Sequence, residues 1–300
     1  MLSLRAIRRA CGELVESIEG APKGTLRVGN LFIIKGSLRV GRDDKYIICA
    51  QSVNKICGGH INLLILAAGF ATRLEPRTLE TPKQLLALKE DYFLIDLFWE
   101  NISQFADLFE RKIIVTNEKY YQKFVDWNKK RDFDFEIISD GVNDKTEKIG
   151  AVGDFLYAVD TAKINDDVLV CASDYIMPNL DVAGLVQLSE LQNTSVTVTK
   201  EEPIEEIRSG SCLLLDSESK ILKFEEKPKE PFSNLYGVPY YLIKKADFEL
   251  IRQIAAELRD NSGQMIAQLV ASSKVYALKY EGEVIHMTTE EDYRELVRKS

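Results

Sequence analysis

The chain has 300 residues, of which 45% are hydrophobic and 29% are charged, and its formal net charge is −8. This composition predicts an ordered core and excludes wholesale disorder. The acidic balance argues against a general nucleic-acid-coating protein, which carries a basic surplus. The charge is uneven, because residues 1–60 hold 10 Lys and Arg against 5 Asp and Glu, whereas residues 61–300 hold 29 against 42. We therefore expect an N-terminal extension of unknown role over residues 1–60 and a separate domain over residues 61–300.

The cysteines and the hydropathy of the chain bear on its location. Five cysteines, with no CxxC pair, are typical of reduced thiols in a cytosolic protein. The longest apolar stretch, residues 63–71, is too short to span a bilayer, and no secretory signal pattern precedes it. These features predict a cytoplasmic protein with no membrane partner.

The first expected elements lie in the basic extension. Residues 3–19 predict a helix, because apolar side chains recur there at alternating spacings of three and four. This stripe consists of Leu4, Ile7, Cys11, Leu14 and Ile18. Short strands are expected at residues 31–34 and 46–49, on either side of a turn region.

From Ile61 onwards, predicted strands alternate with predicted helices. Helices are expected at residues 91–107 and 151–162. Strands are expected at residues 63–66, 112–116, 135–138, 167–171, 194–199, 211–215, 221–225, 240–243 and 275–280. This order predicts an α/β fold with a mostly parallel, Rossmann-like mixed sheet flanked by helices.

The segment from Leu66 to Lys83 carries the clearest chemical signal. Three small residues directly after a buried strand allow backbone N–H groups to approach a ligand: Ala67, Ala68 and Gly69. Arg73 and Lys83 add two cations, on a loop that would lie at the carboxyl end of a strand, where α/β sheets bind ligands. Ala-Ala-Gly alone would indicate an ordinary strand and turn. The whole segment indicates a site for a triphosphate, whose charges need several donors and cations.

This segment reads LAAGFATRLEPRTLETPK. It resembles the signature L-A-A-G-x-[GA]-T-R-L-x-P-x-T-x-x-x-P-K of the sugar-phosphate nucleotidyltransferases, which include glucose-1-phosphate thymidylyltransferase-like proteins. Residues 148–154 resemble the segment that lines the nucleobase pocket in this family, and residues 167–174 resemble the strand that ends in its metal-binding aspartate. Residues 224–228 resemble its sugar-phosphate segment, and residues 237–240 resemble the strand after that segment. The resemblance therefore extends over most of residues 61–300, which it identifies as a nucleotidyltransferase domain.

The resemblance implies that an NTP and a sugar 1-phosphate react to give an NDP-sugar and pyrophosphate, with Mg²⁺ as cofactor. By the same resemblance, Arg73 and Lys83 are catalytic groups on the phosphates, and Asp174 is a metal ligand. Glu226 and Lys227 would bind the sugar phosphate. The nucleotide contacts would be Ala67, Ala68, Gly69 and Gly150. Structural alternatives for individual residues are a turn cap at Asp174, a solvated charged turn around Lys227 and tight helix packing at Gly150.

The C-terminal region departs from the family pattern. Relatives carry W-Y-D-I-G-T-P-E-x-Y there, whereas this chain reads VIHMTTEEDY over residues 284–293, so that His286 replaces a metal-binding aspartate and Thr288 replaces a glycine. Imidazole is a poorer partner for Mg²⁺ than a carboxylate and suits softer divalent metals.

Three hypotheses for this position remain open: His286 binds another metal such as Mn²⁺, Asp174 and phosphates hold the metal alone, or catalysis is lost. If catalysis is lost, the alternative function is a nucleotide- or NDP-sugar-binding regulatory protein. A separate alternative is a cytidylyltransferase acting on phosphocholine or another phosphorylated alcohol, because such enzymes resemble this chain in the same N-terminal motif. Apolar helical faces also favour a homo-oligomer.

Overall fold

The computed structural model describes residues 61–255 and 261–300, together with four short strands nearer the N-terminus. These four strands form an antiparallel sheet in chain order. They are β1 (Val15–Glu16), β2 (Leu26–Val28), β3 (Leu31–Ile34) and β4 (Ser37–Val40). The strand predicted at residues 31–34 is confirmed by β3, and the strand predicted at residues 46–49 lies outside the described residues.

The helix predicted over residues 3–19 is wrong at the two of its positions that the structure describes. Val15 and Glu16 form a strand, in which Val15 pairs with Val28 and Glu16 with Arg27. Backbone pairing with a neighbouring strand therefore decides the local conformation here, although the spacing of the apolar residues is helical. The other residues of this predicted helix lie outside the described part of the chain.

The remainder of the chain alternates strands and helices. The strands are β5 (Ile61–Leu66), β6 (Ala87–Lys89), β7 (Tyr92–Phe93), β8 (Phe109–Thr116), β9 (Glu136–Ser139), β10 (Val168–Ala172), β11 (Tyr175–Ile176), β12 (Val196–Glu201), β13 (Ser211–Leu215), β14 (Ile221–Glu226), β15 (Leu235–Ile243), β16 (Tyr276–Lys279) and β17 (Ile285–His286). The helices are α1 (Leu94–Ile102), α2 (Glu118–Arg131), α3 (Gly150–Thr161), α4 (Val182–Gln192), α5 (Ile204–Ile207), α6 (Phe248–Ala255), α7 (Gly263–Ser272) and α8 (Glu290–Lys299).

Nine strands form the central sheet, whose main path runs β14-β13-β15-β10-β5-β8-β9, with β12 paired to β15 and β16 paired to β12. The four strands β10, β5, β8 and β9 are parallel to one another. Strand β15 runs antiparallel to β10 and begins a more mixed region. The predicted fold class, an α/β fold with a mixed sheet flanked by helices, is confirmed.

Both faces of the sheet are buried, as expected for parallel strands covered by helices. In β5, Leu63 and Ile65 face one hydrophobic core and Leu64 faces the other. The first core includes Phe98 of α1, and the second includes Phe155 of α3. The carboxyl ends of β10, β5, β8 and β9 therefore open along one edge of the layered structure, where α/β folds bind ligands. Within the described residues, none of the helices is long and apolar enough to cross a membrane.

Candidate functional site

A cleft of about 680 Å³ lies across the carboxyl ends of the parallel strands and extends towards β14. Nine of the sequence-predicted site residues line it: Ala68, Gly69, Arg73, Lys83, Gly150, Asp174, Glu226, Lys227 and His286. The structure does not bring Ala67 to this surface, because that residue is 1% exposed and packs in the core. The backbone N–H of Ala67 donates to the carbonyl of Val115 at 2.8 Å, which continues the pairing of β5 and β8. This N–H is therefore engaged by the sheet, and the ligand-facing part of the loop begins at Ala68.

The loop after β5 is held in shape by side chains from α2 and from the loop itself. Asn117 is fully buried; its Nδ2 donates to the carbonyl of Ala68 at 2.9 Å, and its Oδ1 accepts from the backbone N–H of Tyr120 at 3.1 Å. Asn117 thus caps α2 and fixes the loop with the same side chain. The hydroxyl of Thr78 donates to the carbonyl of Ala71 at 3.0 Å. These contacts set the path of the backbone along the wall of the cleft.

Lys83 and Asp174 form an ion pair in the middle of the cleft. Lys83 Nζ lies 2.7 Å from Asp174 Oδ2, and their side chains are 10% and 24% exposed. Burial by itself would raise the pKa of Asp174, but the nearby Lys83 ammonium and His286 outweigh it, and the net effect lowers this pKa well below its usual range. The carboxylate is therefore ionised, beside a cation that can contact phosphate oxygens.

His286 lies next to this pair because β17 pairs antiparallel with β11, which places Tyr175 opposite His286. The two rings are stacked, with centroids 3.8 Å apart and an interplanar angle of 18°. His286 Nε2 lies 3.7 Å from Asp174 Oδ2 and 2.8 Å from the hydroxyl of Thr288. Across the described residues, no three His, Cys, Asp or Glu side chains come close enough to hold a metal ion together. Asp174 and His286 thus supply at most two protein ligands at this point.

Glu226 and Lys227 occupy the end of the cleft beyond β14. The carboxylate of Glu226 accepts a hydrogen bond from the hydroxyl of Ser211 and lies against the first residue of α7. A Cβ atom at Gly263 would clash with Glu226 Oε2, so a larger residue there would displace this carboxylate from its position. Lys227 has a φ of +50°, and its Nζ donates to Asn261 Oδ1 at 2.8 Å. An acidic and a basic side chain are therefore directed into one end of the cleft.

The family model described as "Nucleotidyl transferase" matches residues 62–283, about three quarters of the chain, and ends just before β17, the strand that carries His286. The chain belongs to the nucleotidyl transferase family. The glycine at position 150, with a φ of +79°, begins a helix in the nucleotidyl transferase region, so its backbone conformation alone accounts for the residue type.

Individual relatives of this nucleotidyl transferase are distant. A glucose-1-phosphate adenylyltransferase of Fervidobacterium nodosum is 26% identical over 237 residues, which cover 73% of this chain and 56% of that protein. The bifunctional protein GlmU of Methanococcus aeolicus is 25% identical over 232 residues, covering 74% of this chain and 50% of that protein. The chain spans about half the length of these curated relatives.

The solved structures show the same fold. The structure of UDP-glucose pyrophosphorylase complexed with UDP-glucose superposes with a TM-score of 0.67 at 19% identity, covering 80% of this chain and 98% of that one.

Sequence reasoning gave no individual role to two carboxyl groups that line the cleft of this nucleotidyl transferase, Asp140 and Asp154, although Asp154 ends the segment 148–154 that resembles the nucleobase pocket of the family. Burial and the neighbouring Asp140 raise the pKa of Asp154, and burial also raises that of Asp140. Two signals in the sequence point to them. The first signal is the position of Asp140 directly after β9, which resembles that of Asp174 shortly after β10. The second signal is that Asp154 is an acidic residue within the apolar helix α3.

Proposed function

We propose that this nucleotidyl transferase transfers a nucleotidyl group from an NTP to a sugar 1-phosphate and releases pyrophosphate. The observation that carries the proposal is the Lys83–Asp174 pair, at 2.7 Å, in a cleft that also holds Arg73, Glu226 and Lys227. Such a cleft supplies cations for several phosphates and, further along, groups for a sugar. The family membership supports the same reaction class.

In the proposed reaction, an oxygen of the sugar phosphate attacks the α-phosphorus of the NTP. A new phosphorus–oxygen bond forms, the bond to the bridging oxygen of the β-phosphate breaks, and pyrophosphate leaves with that electron pair. The attacking phosphate is already anionic, so no side chain has to remove a proton. Arg73 would neutralise the leaving phosphates and Lys83 would bridge the reacting ones, so catalysis rests on positioning and charge stabilisation.

The two ends of the cleft receive the two substrates in this proposal. The backbone at Ala68 and Gly69 lies against the NTP, with Gly150 beside the nucleoside. Lys227 binds the sugar phosphate, and the carboxylate of Glu226 accepts hydrogen bonds from sugar hydroxyls.

We propose Asp174 as the principal ligand of a divalent metal ion. A single, partly exposed carboxylate fits Mg²⁺, which characteristically combines one or two carboxylates with substrate phosphates. His286, whose Nε2 lies 3.7 Å from Asp174 Oδ2, adds an imidazole that suits Mn²⁺ or another softer divalent metal. The bound metal would neutralise phosphate charge. The variant His286→Asp should shift metal preference towards Mg²⁺, and an unchanged ratio of Mg²⁺- to Mn²⁺-supported turnover would refute a ligand role for His286.

The proposed activity is tested by measuring the release of pyrophosphate from each NTP. The assay uses a panel of sugar 1-phosphates and either Mg²⁺ or Mn²⁺. Phosphocholine belongs in the panel, because a cytidylyltransferase would use it. We expect turnover with at least one sugar 1-phosphate, and a loss of about 10²- to 10³-fold in Lys83→Met, which removes one fixed charge-stabilising donor. An absence of turnover with every pair would overturn the enzyme assignment.

A second candidate is a regulatory protein that binds a nucleotide or an NDP-sugar without turning it over. It is favoured by the hydrogen bond of 2.8 Å between Thr288 and His286 Nε2, which engages the nitrogen nearest Asp174. Retained nucleotide binding with no pyrophosphate release from any substrate pair would support this candidate.

Several broader expectations also belong to the proposal. We propose a nucleotidyltransferase domain over residues 61–300, with residues 1–60 as an extension outside it. Among the described cysteines, Cys171 and Cys212 are both buried free thiols, which supports a reducing, cytoplasmic location. A homo-oligomer is likewise proposed, and light scattering of the full chain tests it.

A further inference from the structure

Asp140 lies at one extreme of the cleft, as the strand order requires. The main path of the sheet runs from β14 to β9, so Glu226, the last residue of β14, and Asp140, just after β9, are at opposite ends. Lys83 and Asp174 lie between them. If the phosphates occupy the middle and the sugar lies beside Glu226, as proposed above, the nucleobase must extend towards Asp140.

Asp140 is held with its carboxylate in a defined position. Its backbone N–H donates to the carbonyl of Thr116 at 2.9 Å, which fixes the residue to the end of the sheet. Its Oδ1 accepts from the backbone N–H of Val142 at 2.8 Å. Because an ionised carboxylate offers about four lone-pair positions, this oxygen and its neighbour keep acceptor capacity for a ligand.

Asp154 acts on Asp140 from the adjacent helix. It is 8% exposed, its side chain contacts Asp140, and its Oδ1 has no hydrogen-bond partner among the described residues. Its raised pKa means that Asp154 holds its proton more readily than an ordinary carboxyl group. A proton held on Asp154 would be available for a hydrogen bond to Asp140 and would leave the negative charge of the pair on Asp140.

The surrounding wall suits a planar base. Leu66, Ile149, Gly150 and Ala151 line the same cleft and provide apolar and backbone surface for a base, and Lys145 and Lys148 line it as well. A base lying against this wall would present its polar edge to Asp140.

We propose that Asp140, positioned by Asp154, makes this protein select a guanine nucleotide. This inference rests on the proposed function, because it names the NTP used in that reaction. The Watson–Crick edge of guanine carries two neighbouring donors, N1–H and N2–H, which match the two oxygens of one carboxylate. Uracil and thymine offer one N–H between two carbonyl oxygens, which a carboxylate repels. In adenine and in cytosine, the amino group lies next to a ring nitrogen that accepts hydrogen bonds. A carboxylate therefore forms only one hydrogen bond with the edge of either base.

The test measures dissociation constants of GTP, ATP, CTP, UTP and dTTP for the full chain by titration calorimetry, with no sugar phosphate present. We expect GTP to bind at least about tenfold more tightly than UTP, because a bidentate pair of hydrogen bonds typically discriminates between bases by this factor or more. The variant Asp140→Asn replaces one acceptor by a donor, and its amide matches uracil and adenine. It should weaken GTP binding about tenfold or more and strengthen UTP and ATP binding. Asp154→Ala, which removes only the positioning group, should reduce the preference for GTP by a smaller factor.

The matched control is Glu147→Gln, which changes the charge in the same way on an exposed residue of the same loop that does not line the cleft. It should leave all five constants unchanged. Tighter binding of UTP or dTTP than of GTP by the natural chain would overturn the base assignment while leaving the proposed function intact. A uniform loss for all nucleotides in Asp140→Asn would show a structural role and also overturn it. A failure of every nucleotide to bind would overturn both the assignment and the proposed function.

Discussion

Replacing Lys83 by methionine removes the ammonium group that lies 2.7 Å from Asp174 Oδ2 while keeping a side chain of similar length. At an effective dielectric constant of about 20, two unit charges at this distance attract by about 6 kcal/mol. The Asp174 side chain is 24% exposed, so solvent screening and the cost of desolvating both groups offset most of that attraction. We therefore expect a coupling free energy of about 1–3 kcal/mol between the two side chains.

A double-mutant cycle measures this coupling directly. The free energy of unfolding is measured in urea at pH 7 for the natural chain, Lys83→Met, Asp174→Asn and the double variant. The four values together give the part of this free energy that depends on both partners. The exposed pair Arg77–Glu290, whose side chains are 41% and 38% exposed, is the matched comparison and should couple by less than about 1 kcal/mol. A coupling below about 0.5 kcal/mol for Lys83–Asp174, or one no larger than that of the surface pair, would refute the reasoning from burial.

Three further predictions concern residues around the cleft. Burial, followed by the charge of Asp140, raises the pKa of Asp154 to about 8, so the folded state holds this proton between about pH 4 and 8. Stability of the natural chain should therefore fall relative to Asp154→Asn as pH rises through this window, by up to about 1.4 kcal/mol per unit. Asn117→Ala should lower the free energy of unfolding by about 1–3 kcal/mol, because it removes the cap of α2 and leaves the carbonyl of Ala68 unpaired. Gly263→Ala should displace the Glu226 carboxylate and raise the KM for sugar phosphate more than that for NTP.

Each of these predictions has a contradicting result. Parallel pH profiles of unfolding for the natural chain and Asp154→Asn would contradict the raised pKa, with Glu147→Gln as the control for net charge. An Asn117→Ala variant as stable as the natural chain in urea would contradict the role of that side chain in both contacts. For Gly263→Ala, equal changes in both KM values would indicate a general distortion of the cleft.

The fold and much of the cleft are predictable from the sequence because their signals are local. Apolar residues in short runs indicated the parallel strands, and strand β13 was predicted at its observed bounds. Helix α2 was missed, since only Tyr120, Phe124 and Trp127 are buried among many charged residues and no long apolar stripe stands out. Its N-cap, Asn117, therefore also escaped notice, although it fixes the loop that carries the main motif.

The sequence by itself determined which residue types follow the strands, because a contiguous motif such as Leu66–Lys83 encodes its small residues, cations and prolines in order. Only the tertiary structure decided which of them meet. It joined the Ala67 N–H to Val115, set Asp154 of α3 beside Asp140 after β9, and stacked His286 on Tyr175. These contacts depend on the lateral order of strands and on the pairing register between segments distant in the chain. Neither the spacing of apolar residues nor any local motif carries that information, because both describe only neighbours along the backbone.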